Sequence, residues 1–323
     1  MKLIHSFWTK PYVIGGHLDG SELRKNINCF AYSVACAKKL GAAIELHTDN
    51  LGKKLLEFLP YDNIHTTLEG FECDTTLWAA GKIETYKHLE IGDVYIDGDV
   101  FVEREFALYQ LFNISADVLF LQTENSHINH YQNEQNRLSK IPFEFSWDKP
   151  YCCGVVRFSN AEAKEKYISK FEKCIEQMKK GDYVLDFSLN ILFEQWLSVR
   201  EIKEYNIATL YRNEDELSES YYTGLWHYKG INKFLERFQK QILENLKNIN
   251  PDLHNTLLSL DFDKIIADFE NETETTSETD ETGTDTITDI DNTETSSETS
   301  SETVTETVTE TEDEEEIIEI IEF

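Results

Sequence analysis

"DVYIDGDVFV", residues 93–102, sets two aspartates, Asp97 and Asp99, on either side of a glycine at the end of an apolar run. A carboxylate at the end of a buried strand is costly unless its charge is solvated or used. The stretch therefore has two readings: an Asp-Gly-Asp turn, or a place where a cation sits. In the second, Val94, Tyr95 and Ile96 form a strand that delivers both carboxylates to the C-terminal edge of a parallel sheet, where open α/β folds bind ligands. Residues two apart in extended chain point the same way, with Cα atoms about 6.6 Å apart. Two carboxylates so placed can share one divalent ion, and Gly98 between them lets a ligand come close to the backbone.

Outward from this stretch, short apolar runs alternate with helical patterns. "KLIHSFW" (2–8), "AAIELHTD" (42–49), "NIHTTLE" (63–69), "DVLFLQT" (117–123) and "CCGVVRFS" (152–159) are expected strands. Between them lie a helix after Ser21 ending before Gly41, a short helix "LGKKLLEFL", the helix "LWAAGKIETYKHLE" (77–90) and one around 103–113. Later come an amphipathic helix capped by Asn160, the helix "SLNILFEQWLSVR" (188–200), a strand at "NIATLYRN", a chemistry-bearing loop "YYTGLWHYKGINK", and a closing helix "FLERFQKQILENLKNI". The segment 124–150 is polar and expected as a long loop. The rhythm predicts an α/β fold with a mostly parallel sheet flanked by helices.

Charge is uneven along the chain. Of 61 acidic residues, 20 fall between Asn271 and Phe323, a segment without Lys or Arg, and all 30 basic residues precede it. The first 270 residues thus form an ordinary acidic domain, without the clustered basic residues that nucleic-acid binding requires. Two parts are expected: a domain at 1–267 and a disordered Thr/Ser/Glu/Asp-rich tail at 268–323, too polar to offset its ordering entropy. The tail ends in "EEEIIEIIEF", whose isoleucines offer a docking peptide for a protein partner or a solvated end. No charged-then-apolar leader and no apolar run near the roughly 20 residues of a membrane helix is present. The six cysteines show no CxxC spacing and are expected as small buried thiols. A cytoplasmic protein is the expectation.

"HYKGINK", residues 227–233, places His227, Gly230 and Lys233 at the spacing HxxGxxK. A histidine beside Trp226 is alone an ordinary core residue. With the aspartate pair it completes a different set: Asp97, Asp99 and His227 to hold an ion, and Lys233 to meet a diphosphate. The imidazole tilts the choice toward Mn²⁺ over Mg²⁺.

In these two motifs and their order the chain resembles the GT-A fold glycosyltransferases, and among them glycogenin-like, family 8-type enzymes. The similarity spans roughly residues 1–245. It includes "CGVVRF", similar to a strand with a glycine, here Gly154, beside the donor sugar, and "FEQW" (193–196), an acidic-Gln pair near the acceptor. The resemblance departs after Lys233, where Phe234 and Leu235 replace Pro-Trp, and at Cys153, where Asn is usual. It implies a Rossmann-like GT-A sheet with a helical C-terminal end, and sugar transfer from a nucleotide-diphosphate donor, UDP-sugar foremost, to a carbohydrate, protein or lipid hydroxyl, with retention. Ser6, Trp8 and Tyr12 would lie near the base and ribose or else belong to the core or rim. Asp49 would reach the nucleoside or cap a helix. Lys82 would contact phosphate or be solvated. An inverting variant needs a carboxylate near the acceptor, for which Glu194 and Asp186 are candidates. Two alternatives stand: a glycoside hydrolase using the paired carboxylates, and a non-catalytic binding or carrier protein acting through its tail.

Overall fold

The computed structural model describes residues 1–13, 20–124, 149–181, 189–212 and 216–279. Among the described residues nine strands are formed: β1 (Leu3–Phe7), β2 (Ile44–Thr48), β3 (Asn63–His65), β4 (Val94–Ile96), β5 (Val100–Val102), β6 (Val118–Thr123), β7 (Tyr151–Phe158), β8 (Ile207–Thr209) and β9 (Leu225–His227). Seven of them make one sheet in the order β3-β2-β1-β4-β7-β6-β8. All neighbours are parallel except β7, which runs antiparallel to both β4 and β6. This is the mostly parallel α/β sheet expected from the strand–helix rhythm.

Both faces of the sheet are covered, so its central strands β1, β4 and β7 are buried along almost their whole length, the polar His5 and Arg157 included. In β1, Leu3 and Phe7 face one core while Ile4 faces the other. The helices, in chain order, are α1 (Lys10–Val13), α2 (Gly20–Lys39), α3 (Asn50–Leu56), α4 (Ala80–His88), α5 (Glu105–Asn113) and α6 (Ala161–Lys180). Helix α7 runs through Leu189–Ile191, a π-helical turn Leu192–Leu197 and Ser198–Arg200, and is followed by α8 (Glu216–Thr223), α9 (Glu236–Ile249), α10 (Pro251–Ser259) and α11 (Phe262–Thr279). The first core lies between the sheet and α2, α3, α9 and α10; the second is closed by α4, α6 and α7. No described helix is long and apolar enough to cross a membrane. All six cysteines are free thiols, and all but Cys73 are buried.

Three local expectations differ from what forms. Helix α2 begins at Gly20, so Ser21 lies inside it rather than at its cap. Helix α11 carries Ile265, Ile266 and Phe269 against the first core and continues through Thr279, so the composition break at Ala267 falls within a helix. The chain divides into one unit at Met1–Thr276 and a second from Ser277 onward; the terminal peptide and residues 125–148 of the loop expected at 124–150 lie outside the described residues. Finally, "YYTGLWHYKGINK" is not a loop. It holds the end of α8, strand β9 and a 3-10 turn at Gly230–Phe234.

Strand β9 matters most for function. It pairs antiparallel with β5 in a two-stranded ribbon, with Val100 opposite His227 and Phe101 opposite Trp226. This pairing joins segments some 130 residues apart and fixes the histidine beside the aspartate pair.

Candidate metal and diphosphate site

"DVYIDGDVFV" is not one extended strand. Strand β4 ends at Ile96, and the Asp97 N–H donates to Gly154 O at 2.9 Å. The chain then turns, closed by Val100 N–H to Asp97 O at 3.0 Å, before β5 begins. The stretch is thus an Asp-Gly-Asp turn, and the turn brings its two carboxylates together. Asp97, Asp99 and His227 each offer a ligand atom, all within 4.8 Å of one another. The backbone N–H of Tyr228 donates to Asp99 O at 3.0 Å, locking the two motifs together.

Two glycines make the approach possible. A Cβ at Gly98 would lie 2.6 Å from the Phe30 ring, so the close neighbour here is an α2 side chain packed under the turn. A Cβ at Gly154 would lie 3.0 Å from Cε1 of His227, so the strand needs a glycine where the imidazole crosses it. The ring is held between the Cys152 thiol, 3.8 Å from Nδ1, and Asp99 Oδ1, 3.6 Å from Nε2. Gly230 adopts a left-handed φ of +63°, which turns the chain between His227 and Lys233.

The cations around the carboxylates come from different elements. Lys233 Nζ lies 3.0 Å from Asp99 Oδ2. Lys82, from α4, is not solvated: it is 6% exposed, with its ammonium 3.0 Å from Asp97 Oδ1 and 2.7 Å from Glu194 Oε1. The Tyr95 hydroxyl donates to Asp97 Oδ1 at 2.6 Å. Burial pushes the Asp97 carboxyl up, but the Lys82 charge and the Tyr95 hydrogen bond outweigh it, and the group sits below the ordinary carboxylate range. Burial likewise raises Glu194, to about 7, against the opposing Lys82 charge.

These groups surround a cavity of about 760 Å³ at the C-terminal edge of β1 and β4. Ser6, Trp8, Tyr12, Lys82, Gly98, Gly154, Gly230 and Lys233 line it together with Asp97, Asp99 and His227. The Ser6 hydroxyl is engaged with Gly81 O and Thr85, Trp8 packs on Phe71, and Tyr12 stacks on Phe7. Two expected residues are not part of the lining. Asp49 caps α3 through Gly52 N–H at 2.8 Å and accepts from the Thr9 amide and hydroxyl, so both its oxygens serve the fold. Glu194 is fully buried behind Lys82, because the π turn of α7 rotates its side chain inward; its neighbour Gln195 lines the cavity instead. Asp186 lies outside the described residues.

Sequence reasoning missed Trp78, Asn26 and the ion pair between Lys229 and Glu124, 3.1 Å apart at the cavity wall. Lys229 sits within "HYKGINK" and was within reach of the motif; Asn26 and Trp78 carry no spacing signal.

The donor set fits a divalent cation. Asp99 Oδ1 is buried, lacks a hydrogen-bond donor and lies beside the imidazole. Two carboxylates and one imidazole suit Mn²⁺ or a similar ion, and the flanking lysines suit phosphate oxygens.

Solved structures similar to the chain include glycosyltransferases distant in sequence. GlyE of Streptococcus pneumoniae TIGR4 matches at 11% identity with a TM-score of 0.42, over 84% of this chain. The chain spans 64% of the length of that enzyme. The galactosyltransferase LgtC, solved with donor and acceptor sugar analogs, matches at 11% identity and a TM-score of 0.42, over 77% of this chain and 96% of its own. Mouse xyloside xylosyltransferase 1 matches at 12% identity and a TM-score of 0.36, over 70% of this chain and 96% of its own. No curated protein matches the sequence. Residues 1–260 match the model of a family of unknown function, DUF6734, and the chain belongs to that family.

Proposed function

We propose that the protein is a metal-dependent glycosyltransferase, moving a sugar from a nucleotide-diphosphate donor, UDP-sugar foremost, to a hydroxyl of a carbohydrate, protein or lipid acceptor. One observation carries the reading: Asp97, Asp99 and His227 converge within 4.8 Å of one another on a cavity that Lys82 and Lys233 also line. Mn²⁺ held by the first three would supply Lewis-acid stabilisation of the departing diphosphate. Lys233 meets phosphate oxygens by leaving its ion pair with Asp99. Lys82 is fixed by Glu194 and Asp97 and keeps a positive charge directed at the same region. Glu194, buried behind that lysine, is a positioning residue and not the acceptor's base. Its withdrawal removes one of the two candidates for an inverting base, the other being Asp186; in a retaining course the leaving phosphate takes the acceptor proton.

The hydrolase alternative needs one protonated and one ionised carboxyl group. Here each aspartate is paired with a lysine at 3.0 Å, so their surroundings do not set one apart as the acid.

A panel of nucleotide sugars, assayed for release of nucleotide diphosphate with and without Mn²⁺, tests the proposal. Release is expected with metal, abolished by chelator and by Asp99→Ala. Release from no donor, together with no calorimetric binding of UDP and Mn²⁺, would move the protein to the binding or carrier reading.

A further inference from the structure

A second set of ligand-type side chains stands on the sheet, away from the cavity. Strands β2 and β3 pair in parallel with Glu45 opposite Asn63 and His47 opposite His65. Strand alternation sends Leu46 into the first core and puts Glu45 and His47 together on the other face. His65 lies beside His47 across the ladder, with ring centroids 4.8 Å apart. Glu45, His47 and His65 each offer a ligand atom within 4.8 Å of the others, and none of the three lines the cavity.

The surroundings orient this set. Nδ1 of His47 lies 2.9 Å from the Thr67 hydroxyl, which leaves Nε2 as its coordinating atom. Nε2 of His65 lies 3.2 Å from Glu45 Oε2, and Asn63 donates to the other oxygen of Glu45 at 2.8 Å. Such outer partners fix ring and carboxylate orientation in metal sites. His88, the last residue of α4, stacks on His47 with centroids 5.8 Å apart. The C-terminal end of α4 thus directs its negative dipole end at the cluster, which favours a cation there. Lys2 pairs with Glu45 at 2.7 Å and is the resident counter-ion that a metal would displace.

We propose that Glu45, His47 and His65 form a second divalent-cation site, selective for Zn²⁺-type ions, that clamps the edge strand β3 to β2. Two imidazoles and one carboxylate are a zinc-type ligand set, whereas the site at Asp97 is richer in oxygen. His65 is partly exposed, so the ion has a path in and a solvent molecule can complete the coordination. The bound ion would tie β3, a three-residue edge strand, to its neighbour.

The inference is independent of the proposed transferase activity, and its test keeps the two apart. Zinc is titrated calorimetrically into the full chain carrying Asp99→Asn, which silences the other cluster, and into the same chain with His65→Ala or Glu45→Gln added. One zinc per Asp99→Asn chain is expected, with affinity falling about tenfold or more in each double variant, and with X-ray absorption showing imidazole nitrogen at about 2.0 Å. Zinc should also raise the melting temperature of Asp99→Asn and not that of Asp99→Asn/His65→Ala. Binding that is absent from Asp99→Asn, or unchanged by both added substitutions while circular dichroism reports a folded chain, overturns the site. His65→Ala alone should leave binding of UDP and Mn²⁺ unchanged; its loss there would overturn the separation of the two clusters.

Discussion

Two clusters of three donors, Asp97–Asp99–His227 and Glu45–His47–His65, each bring their ligand atoms within 4.8 Å of one another, in opposite settings. The first sits in a turn where the chain leaves the sheet, opens on a large cavity and is flanked by two lysines from distant elements. The second lies flat on the sheet between adjacent strands, and its one close lysine is bound to its own glutamate. Donor geometry alone therefore does not separate the proposed catalytic centre from the proposed structural clamp. What separates them is room for a substrate beside the ion and cationic groups placed for a second, anionic ligand.

The sharpest way to break this contrast is to remove the donor left orphaned in the first cluster. Asp99→Ala should lower nucleotide diphosphate release by a factor on the order of 10³, the scale of losing an electrostatic stabiliser of a developing charge. Zinc binding at the second cluster should survive in the same variant. Lys233→Ala comes next: losing a charge-assisted contact of about 1.5–3 kcal/mol should weaken nucleotide binding about ten- to a hundredfold. Calorimetry with UDP and Mn²⁺ reads this directly, and an unchanged affinity would remove Lys233 from the diphosphate site.

The two clusters were also unequally legible in the sequence. The aspartate pair and HxxGxxK stand out because each compresses several chemistry-bearing residues into a few positions. Their meeting was read from ligand chemistry and then from resemblance, since the ribbon that joins Val100 to His227 is a long-range pairing without local signal. Glu45, His47 and His65 went unremarked, because cross-strand neighbours are set by sheet register and not by spacing along the chain. The strand–helix rhythm fixed the α/β class, yet it could not tell that β7 runs antiparallel. Asp49 was a candidate by its place at a strand end, with capping as the alternative reading, and Glu194 by the resemblance of "FEQW". A cap bond at one and a π turn at the other turned their carboxylates into the fold.

Glu194 offers a test of how the first cluster is supported. Burial raises its folded-state pKa to about 7, from 4.5 as the ordinary value. Between those pH values the folded chain binds more proton at this site than the unfolded chain does, so its contribution to stability is full below the lower value and declines as pH rises toward the upper one. Glu194→Gln removes that decline. The stability of the variant relative to the parent should rise between about pH 4.5 and 7 by on the order of 3 kcal/mol at most, and then level off. Denaturant titrations at a series of pH values measure it. A parallel pair of curves would mean that Lys82 keeps Glu194 ionised throughout, and that the lysine's charge is shared between two carboxylates at all working pH values.

The smallest effect should come from Gly154→Ala, and it discriminates between the clusters most cleanly. The added methyl would meet His227 at 3.0 Å from Cε1 and 3.1 Å from Nε2. Contacts that close require the ring to shift by a few tenths of an ångström. Strand β7 can keep its ladder, because alanine is compatible with extended backbone. The ring cannot retreat freely, since the Cys152 thiol lies on its Nδ1 side and Asp99 on its Nε2 side. Mn²⁺ affinity should therefore fall a few-fold while the melting temperature changes little and zinc at Glu45–His47–His65 binds as before. Unchanged Mn²⁺ affinity in a variant whose His227 ring has shifted would place His227 outside the set of groups whose position the ion requires.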